Sequence, residues 1–340
     1  AGVDVVDTTV SVGADAGGAL TVSLEIVGGN GASADLSTTA GAAITLWKEA
    51  NGTITGRTGG SSGGTVVFAI SINNSGQVSV AQYATLDHPL EGANHDDMLD
   101  LSGKLNAVVK QTDADSDEAS NSVGVGSAIQ FEDDGPSVTA NSGVQLDDDA
   151  LAGGNANGTG DDANSTNASG TLGHVFGEDG AGTVAWLTSG APAGFTYEAD
   201  GTSLLVKQGG ITVLTLAVTA GTGAYTVTQN APIVHPAGND ENNVQFTVNY
   251  RVTDADGDTA DGTLAIDVDD DTPTASISRT ANFATLDESQ GVDGSDGNAE
   301  DDDSPPVADP FAGAYGDPIG AVAGVDVVDT TVSVGADAGG

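Results

Sequence analysis

The sequence predicts an all-β chain of tandem β-sandwich modules arranged as an extended array. Three observations favour this fold class: short runs in which apolar and polar residues alternate, the lack of any long apolar stripe with helical spacing, and self-similarity along the chain. Alternation with a period of two residues is typical of strands that bury one face. Short strands separated by turn residues at regular spacing indicate sandwiches.

Eight runs carry the strand signal, and several are bounded by Gly, Asn or Asp. They are residues 19–27, 43–48, 65–72, 77–82, 203–208, 211–218, 224–229 and 244–252. The tetrapeptide NNSG at residues 73–76 joins two of them, and a short Asn- and Gly-rich connection of this kind predicts a β-hairpin.

The array is predicted from an identity between the two ends of the chain. Residues 1–18 (AGVDVVDTTVSVGADAGG) recur letter for letter at residues 323–340, a period of 322 residues. Self-similarity at a fixed period is the signature of repeat architectures. An engineered or circularly cut chain would show the same identity.

A weaker repeat lies inside this period. GQVSVAQYATLDHP at residues 76–89 aligns with GAYTVTQNAPIVHP at residues 223–236, and TDADSD at 112–117 aligns with TDADGD at 253–258. EDDGP at 132–136 and DDDTP at 269–273 then mark the ends of two related modules. We therefore predict three segments: residues 1–134, the larger C-terminal part of one module; residues 135–272, a complete module; and residues 273–340, the start of the next copy of the first.

The composition excludes several classes of binding partner and implies that cations balance the negative charge of the chain. The chain has 50 Asp and Glu against 7 Lys and Arg, a formal charge of −43, and it has no Cys. Phosphate backbones and anionic membrane surfaces need basic patches, so nucleic acid and such membranes are excluded. No apolar stretch is long enough to span a membrane. Self-repulsion of this size disfavours a compact state unless cations offset it.

The acidic residues are grouped in ways that favour Ca²⁺, which takes six to eight oxygen ligands. Neither aspartate-rich loop is an EF-hand, because the position that needs Glu is Gly124 or Ala265. The ligand sets must then be completed from module junctions and module starts, so that ions are shared between neighbouring modules. The alternative is that these carboxylates only solvate turns. The predicted calcium ligands are Asp113, Asp115, Asp117, Asp254, Asp256 and Asp258 in the loops, Asp133, Asp134, Asp270 and Asp271 at the junctions, and Asp147, Asp148, Asp287 and Glu288 at the module starts.

For several other residues, a role in a turn, in packing or in a loop is considered beside metal binding. For Asp15 and Asp179, which occupy corresponding positions, solvation of a turn is preferred to calcium binding. His88 and His235 recur before proline, and a turn or packing role is preferred. The segments 147–171 and 287–310 are rich in Asp, Asn, Gly or Pro and predict loops, either flexible linkers or loops ordered by cations.

No catalytic motif is present, so we expect no enzyme activity. G-x-S-x-G, HExxH and P-loop patterns are all missing from the sequence.

Four aromatic residues are expected in the core: Trp47, Trp186, Tyr197 and Tyr225. The alternative function is a glycan- or partner-binding sandwich, which would expose such aromatic side chains together at one place.

The ordered motifs resemble the repeats of giant RTX-type adhesins of type I-secreted proteins, in particular the T1SS-143 and VCBS-like class. The motifs that carry the resemblance are QxAxxxHP (82–89 and 229–236), TDADGD (253–258), FEDDGP (131–136), LDES (286–289) and FAGAYGDP (311–318). The resemblance covers essentially the whole chain. It implies Ig-like modules, bound Ca²⁺ and a rod-like stalk secreted to the cell surface of a Gram-negative bacterium. Runs of the GGxGxDxUx nonapeptide, which form calcium β-rolls in such proteins, are missing here. The expected partners are neighbouring copies of the repeat, with lateral assembly into filaments as a further expectation.

Overall fold

The chain is all-β in a computed structural model that describes residues 2–9, 11, 17–90, 92–93, 97–156, 160, 165–238, 241–284, 314 and 324–336. Apart from two 3-10 turns at Gly126–Ala128 and Asp148–Ala150, the regular elements of the described residues are strands. None of the helical segments in this part of the chain has the length and apolar character needed to cross a membrane.

The first sandwich is formed by eleven strands. They are β1 (Val3–Asp4), β2 (Leu20–Ile26), β3 (Ala32–Ser37), β4 (Ala43–Lys48), β5 (Ile54–Thr58), β6 (Val66–Ile72), β7 (Gln77–Gln82), β8 (Met98–Asp100), β9 (Leu105–Thr112), β10 (Glu118–Gly124) and β11 (Gln130–Glu132). One sheet has the order β1-β7-β6-β5-β4-β3 and the other β10-β9-β2, while β8 and β11 pair separately. Every pairing is antiparallel.

A single apolar core lies between the two larger sheets of the first sandwich. Leu24 of β2 and Leu105 of β9 share this core with Leu46 of β4, Ile54 of β5 and Phe68 of β6, all fully buried. Strands β2 and β4 alternate buried and more exposed positions, which places their buried apolar residues on one face. Burial of such side chains, worth about 1.5–3 kcal/mol each, holds the sheets together.

The second sandwich repeats this arrangement. Its strands are β12 (Ser137–Val138), β13 (Val144–Asp147), β14 (Asn167–Thr171), β15 (His174–Val175), β16 (Thr183–Trp186), β17 (Phe195–Asp200), β18 (Ser203–Gln208), β19 (Ile211–Val218), β20 (Ala224–Gln229), β21 (Val244–Thr253) and β22 (Thr259–Asp269). The sheets have the orders β13-β22-β21-β16 and β14-β20-β19-β18-β17, and β12 pairs with β15. Trp186 of β16 meets Tyr225 of β20 edge-to-face at 6.2 Å, which joins the two sheets across the core.

The fold-class prediction is confirmed, and the strand predictions hold closely. Five of the eight predicted runs coincide with observed strands, and the other three differ by one residue at one or both ends. The hairpin at residues 73–76 is also confirmed, because β6 and β7 pair with Ile72 opposite Val78 and Gly76 adopts a φ of +80°.

One expectation is wrong: residues 167–171, assigned to a loop, form β14 along the edge of β20. Their small polar side chains give no apolar alternation, yet an edge strand needs only backbone pairing.

Contact clustering divides the chain into two compact units, each made of several segments. The first comprises Ala1–Leu146, Thr166–Ala231 and Gln245–Asp267 and contains most of both sandwiches. The second comprises Asp147–Ser165, Pro232–Val244 and Val268–Gly340. It includes the 3-10 turn at Asp148–Ala150. It also includes an antiparallel pair of strands, β23 (Thr274–Arg279) and β24 (Val328–Ser333). The module boundaries at residues 134 and 272 stay predictions.

Each sandwich packs a large aromatic ring directly over a strand glycine. A Cβ atom placed on Gly262 of β22 would lie 2.3 Å from the Tyr250 ring, and one on Gly56 of β5 would lie 2.3 Å from the Phe68 ring. Both rings are fully buried, so neither can move aside without disturbing the core. These two glycines are therefore needed for space and not for backbone conformation.

We expect Gly262→Ala to lower the free energy of unfolding by about 1–3 kcal/mol, because the methyl group overpacks a fully buried ring. The matched control is Gly221→Ala in a surface turn, where a Cβ meets nothing within 4 Å. Urea denaturation monitored by fluorescence measures both. Equal stability of the two variants would contradict the packing argument.

Candidate metal site

The aspartate-rich turn between β21 and β22 is folded around one of its own carboxylates. Asp254 Oδ1 accepts hydrogen bonds from the backbone N–H groups of Gly257 (3.1 Å) and Asp258 (2.8 Å). The backbone N–H of Asp254 donates to the Asp258 carbonyl at 3.1 Å. Asp254, Asp256 and Asp258 each offer a carboxylate oxygen within 4.8 Å of the others. The sequence spacing of one residue thus brings all three side chains to the same side of the turn.

Two further carboxylates join this turn from other parts of the first unit. Asp133 follows β11 at the end of the first sandwich, and Asp179 lies between β15 and β16 of the second. Oxygens of Asp133, Asp179 and Asp256 also lie within 4.8 Å of one another. We call the set of Asp133, Asp179, Asp254, Asp256 and Asp258 the junction cluster, because it takes residues from both sandwiches.

The junction cluster is withdrawn from solvent although it carries only acidic groups. The side chain of Asp133 is 1% exposed and Asp254 is 4% exposed. Asp133 Oδ2, Asp254 Oδ2 and both carboxylate oxygens of Asp256 are buried and make no hydrogen bond. Burying a carboxylate without a partner is costly, so these oxygens raise the free energy of the folded state unless their charge is reduced.

The burial of the junction cluster raises the affinity of its carboxylates for protons. Burial, followed by the close approach and charge of the Asp258 carboxylate, raises the pKa of Asp133 to about 8. Burial, followed by the close approach and charge of the Asp256 carboxylate, raises the pKa of Asp254 to about 7. Burial and the charge of Asp256 also raise the pKa of Asp179. Protonation reduces the repulsion between carboxylates that lie this close together.

His88 is the basic side chain nearest to the cluster. Its Nε2 lies 3.9 Å from Asp133 Oδ1, and its Nδ1 lies 3.5 Å from Asp97 Oδ1. The side chain is 4% exposed, which agrees with a packing role in the turn. His88, Asp97 and Asp133 form a second possible ligand group that shares Asp133 with the junction cluster.

The lysine and arginine ion pairs are formed elsewhere. Five of the seven basic residues pair with carboxylates outside the junction cluster. These pairs are Arg57–Glu49, Lys104–Asp35, Lys110–Glu118, Lys207–Glu198 and Arg251–Asp261. The cluster is therefore not neutralised by these side chains.

Direct hydrogen bonds also connect the two sandwiches beside the cluster. Gly92 of the first accepts a backbone hydrogen bond from Thr259 (2.6 Å) and donates one to Gly257 (3.3 Å). The Thr39 hydroxyl donates to Asp179 at 3.1 Å. A cleft of about 620 Å³, lined in part by Asp133, Asp179 and His88, opens at the cluster. Of the junction cluster, Asp133 and Asp179 line this cleft.

The corresponding turn of the first sandwich is folded in the same way but lies in solvent. Asp113, Asp115 and Asp117 again place oxygens within 4.8 Å, and Asp113 Oδ1 accepts from the Asp117 N–H at 2.8 Å. Ser116 takes the place of Gly257 and adopts a φ of +80°. The hydrogen bond with Asp115 lowers the pKa of Asp113. The same acidic motif is thus exposed in one sandwich and buried in the other.

The second unit contains its own histidine–carboxylate group. Asp148, His235 and Asp270 offer ligand atoms within 4.8 Å of one another. Asp148 Oδ2 accepts the Ile233 N–H at 2.8 Å and lies 3.4 Å from His235 Nε2, while His235 Nδ1 donates to the Asn242 carbonyl at 2.7 Å. Burial lowers the pKa of His235, but its hydrogen bond with Asp148 and the charges of Asp270 and Asp148 raise it overall.

The remaining predicted ligands have local partners. Asp147 Oδ1 accepts the Asp149 N–H and caps the 3-10 turn, and Asp271 Oδ1 accepts the Asn155 N–H. Asp134 is exposed and accepts the Glu178 N–H. The predicted ligands Asp287 and Glu288 lie outside the described residues, as does Asp15.

The sequence predicted the three aspartates of the turn and Asp133 as calcium ligands, favoured a turn role for Asp179 and did not predict Asp97 as a calcium ligand. Asp179 stands in GEDG, and its distance in sequence from the turn gave no sign that the two lie close together. Acidic residues beside glycine are common in turns. Only its recurrence at Asp15 could have indicated it. The four aromatic residues expected in the core are all at least partly buried.

Comparison with solved structures gives only weak likenesses. A protocadherin gamma B4 extracellular domain is 12% identical, with 79% of this chain and 36% of that chain covered and a TM-score of 0.27. Mouse clustered PcdhgC3 EC1-3 is 13% identical, covering 59% and 50%, with a TM-score of 0.24. Zebrafish RET cadherin-like domains 1 to 4 are 10% identical, covering 78% and 52%, with a TM-score of 0.20. The chain spans between about a third and about half of the length of these proteins. TM-scores of this size support no inference about fold or function.

Comparison with protein families gives a clear result, although none of the curated proteins matches significantly. The model of one family, described as a domain of unknown function, DUF5801, matches residues 5–126 and 143–269. These stretches make up more than half of the chain, and each holds one of the two aspartate-rich turns. The chain therefore belongs to the DUF5801 family.

Proposed function

We propose that the chain is a structural repeat unit of a secreted cell-surface adhesin stalk or extracellular filament, stiffened by Ca²⁺ at the junctions between its sandwiches. The observation that carries the proposal is the junction cluster, whose buried oxygens without hydrogen bonds come from both sandwiches. A cation held there binds the end of one sandwich to the turn of the next. This role needs no catalysis, and its partners are neighbouring copies of the repeat.

The donor set favours Ca²⁺ over other metals. All five members of the junction cluster are carboxylates, and Ca²⁺ accepts six to eight oxygens in flexible geometry. Mg²⁺ demands near-ideal octahedral geometry and keeps several waters, which suits a closely packed group of carboxylates less well. Zn²⁺ and copper are held mainly through His or Cys, whereas this cluster offers neither.

The contrast between the two turns supports a junction role. The turn of the second sandwich has Asp133 of the first beside it, and its Asp254 and Asp258 are buried. The turn of the first sandwich has no such neighbour among the described residues, and its Asp115 and Asp117 are exposed. Burial of the acidic turn therefore accompanies contact with the end of another sandwich. In an array, the first turn would meet the end of the preceding copy in the same way.

Secretion and an origin in a Gram-negative bacterium rest on the resemblance of the ordered motifs to RTX-type adhesin repeats. Extracellular modules typically bind Ca²⁺ with dissociation constants of about 10⁻⁴–10⁻³ M, which is the range expected for this proposal. A formal charge of −43 also requires cations for compactness.

Calcium is expected to bind and to stabilise the fold. Isothermal titration calorimetry of the chelator-treated chain should show at least one saturable site. Calcium at about 100 times the dissociation constant should add about 2.7 kcal/mol per site. Scanning calorimetry measures this gain as a higher unfolding temperature. If neither heat of binding nor a shift in unfolding temperature is found, the proposed function is wrong.

The substitution Asp256→Asn should have opposite effects with and without calcium. Without the metal it removes one of several repelling charges, so the unfolding temperature should rise. With calcium it removes a ligand, so the gain from calcium should shrink. Asp256 suits this test because its oxygens make no hydrogen bonds that the substitution would break. The control is Asp200→Asn on the exposed end of β17, which should change neither value. The same small effect from both variants would exclude Asp256 as a ligand.

The metal-free protein should be less stable at about pH 8.5 than at about pH 5.5. The pKa of Asp133 rises to about 8 and that of Asp254 to about 7 on folding, from unfolded values near 3.9. The folded state thus binds protons more tightly, and the stability this provides is lost as the pH rises towards 8. Saturating calcium should flatten this dependence by replacing the protons. Unfolding temperatures measured across this range with chelator and with calcium test it; a metal-free protein that gains stability above pH 6 would refute the assignment.

A further inference from the structure

Three side chains from distant parts of the sequence meet within the second unit. Asp148 is the first residue of the 3-10 turn, His235 lies in the connection between β20 and β21, and Asp270 follows β22. All three belong to the same compact unit. Each offers a ligand atom within 4.8 Å of those of the other two. The fold thus places one imidazole beside two carboxylates, none of which belongs to the junction cluster.

The hydrogen bond to Nδ1 of His235 determines which ring nitrogen carries the proton. Nδ1 lies 2.7 Å from the backbone carbonyl oxygen of Asn242. A carbonyl oxygen can only accept a hydrogen bond, so Nδ1 is the protonated nitrogen. In the neutral imidazole, Nε2 then has a lone pair that is available to a metal ion.

This Nε2 atom is buried and faces a carboxylate. The side chain of His235 is 2% exposed, and its Nε2 makes no hydrogen bond within the described part of the chain. Asp148 Oδ2 lies 3.4 Å from it, whereas a hydrogen bond between a charged imidazole and a carboxylate measures about 2.7–2.9 Å. Two ligands of a tetrahedral zinc ion, each bound at about 2.0 Å, are about 3.3 Å apart. The observed separation therefore suits a metal ion bound to both atoms.

The surrounding hydrogen bonds hold the three ligands in place. Asn242 serves two of them, because its carbonyl accepts from His235 and its side-chain amide donates to Asp270 Oδ2 at 3.2 Å. The backbone N–H of Ile233 donates to Asp148 Oδ2 at 2.8 Å. Histidines that bind metals almost always donate their other ring N–H to a carbonyl or carboxylate, and ligating carboxylates are themselves hydrogen-bonded. The group around His235 has both features.

The equivalent histidine of the first sandwich is arranged differently. His88 and Asp133 correspond in the aligned motifs to His235 and Asp270. His88 Nε2 lies 3.9 Å from Asp133 Oδ1, but Asp97 Oδ1 approaches Nδ1 at 3.5 Å. The His88 ring thus lies between two carboxylates that face different nitrogens. At His235 a carbonyl occupies Nδ1, which leaves Nε2 for a metal.

We propose that Asp148, His235 and Asp270 bind a divalent transition metal ion, for which Zn²⁺ is the probe. Imidazole is a good ligand for Zn²⁺ and its neighbours in the first transition row, whereas Ca²⁺ prefers sites made of oxygen alone. Three protein ligands with water at a fourth position form a common zinc site. The inference goes beyond the proposed function, because it adds a second metal of different chemistry and does not require calcium at the junction cluster.

The test is a titration of the full, chelator-treated chain with Co²⁺, monitored by visible absorption, with calcium in saturating excess to occupy sites made of carboxylates alone. One Co²⁺ should bind with an absorption spectrum typical of mixed nitrogen and oxygen ligands, and Zn²⁺ should displace it. His235→Gln and Asp270→Asn each remove a ligand, so each should weaken binding by at least about 100-fold, the upper end of the effect of losing an outer-shell partner.

Two histidine variants are the matched controls, and both should bind like the unmodified chain. His174 Nδ1 also donates to a carbonyl, that of Leu172 at 2.7 Å, but His174 belongs to none of the possible ligand groups of the described residues. His174→Gln therefore removes a comparable ring without removing a ligand. His88→Gln tests the equivalent histidine, and loss of binding in this variant in place of His235→Gln would overturn the assignment.

Nitrogen-15 NMR of the histidine side chains provides a readout on the unmodified chain, which stays decisive if a variant fails to fold. Zn²⁺ should shift the Nε2 resonance of one histidine while its Nδ1 stays protonated. The inference is overturned if no histidine resonance moves, if Co²⁺ binding survives both His235→Gln and Asp270→Asn, or if excess calcium prevents binding. A chain that binds zinc but not calcium would refute the proposed function alone, so the two proposals fail separately.

Discussion

The structure depends on carboxylates held close together away from water. Asp133, Asp254 and Asp256 have buried oxygens without hydrogen bonds, and this arrangement has an unfavourable free energy in the absence of a counter-ion. Removing one partner from a buried charged group typically costs several kcal/mol. The fold therefore requires either protons or a cation at this position. The contacts of the junction, including the Gly92 hydrogen bonds and the Thr39–Asp179 hydrogen bond, lie around that position.

The raised pKa values belong to the junction and not to the turn alone. The two aspartate-rich turns have nearly the same sequence and the same internal hydrogen bonds, yet the pKa of Asp113 is lowered and that of Asp254 is raised. In the exposed turn, solvent screens the charges and hydrogen bonds dominate. In the buried turn, the end of another sandwich excludes water. A single isolated module would thus lack the environment that raises the pKa of Asp254.

The sequence was informative where a local pattern determines the structure. Strands such as β4 and β19 were predicted to the residue because their apolar alternation reflects burial of one face. Strands β10 and β14 were not, because their small polar residues carry no alternation and only backbone pairing defines them. The same limit applies to the site. The turn was recognisable from the spacing of its aspartates, whereas Asp179 and Asp97 reach the cluster through tertiary contacts that no spacing encodes.

The few basic residues have a consequence for resistance to proteolysis. Trypsin-like proteases cleave after Lys or Arg, and the chain has only seven such positions. Six of them lie within strands, namely Lys48, Arg57, Lys110, Lys207, Arg251 and Arg279. Proteolytic nicking is concentrated at exposed loop tips and termini, which offer the backbone in an accessible form. The long acidic connections therefore offer such enzymes no cleavage site, and the six sites within strands are protected for as long as the sheets stay folded.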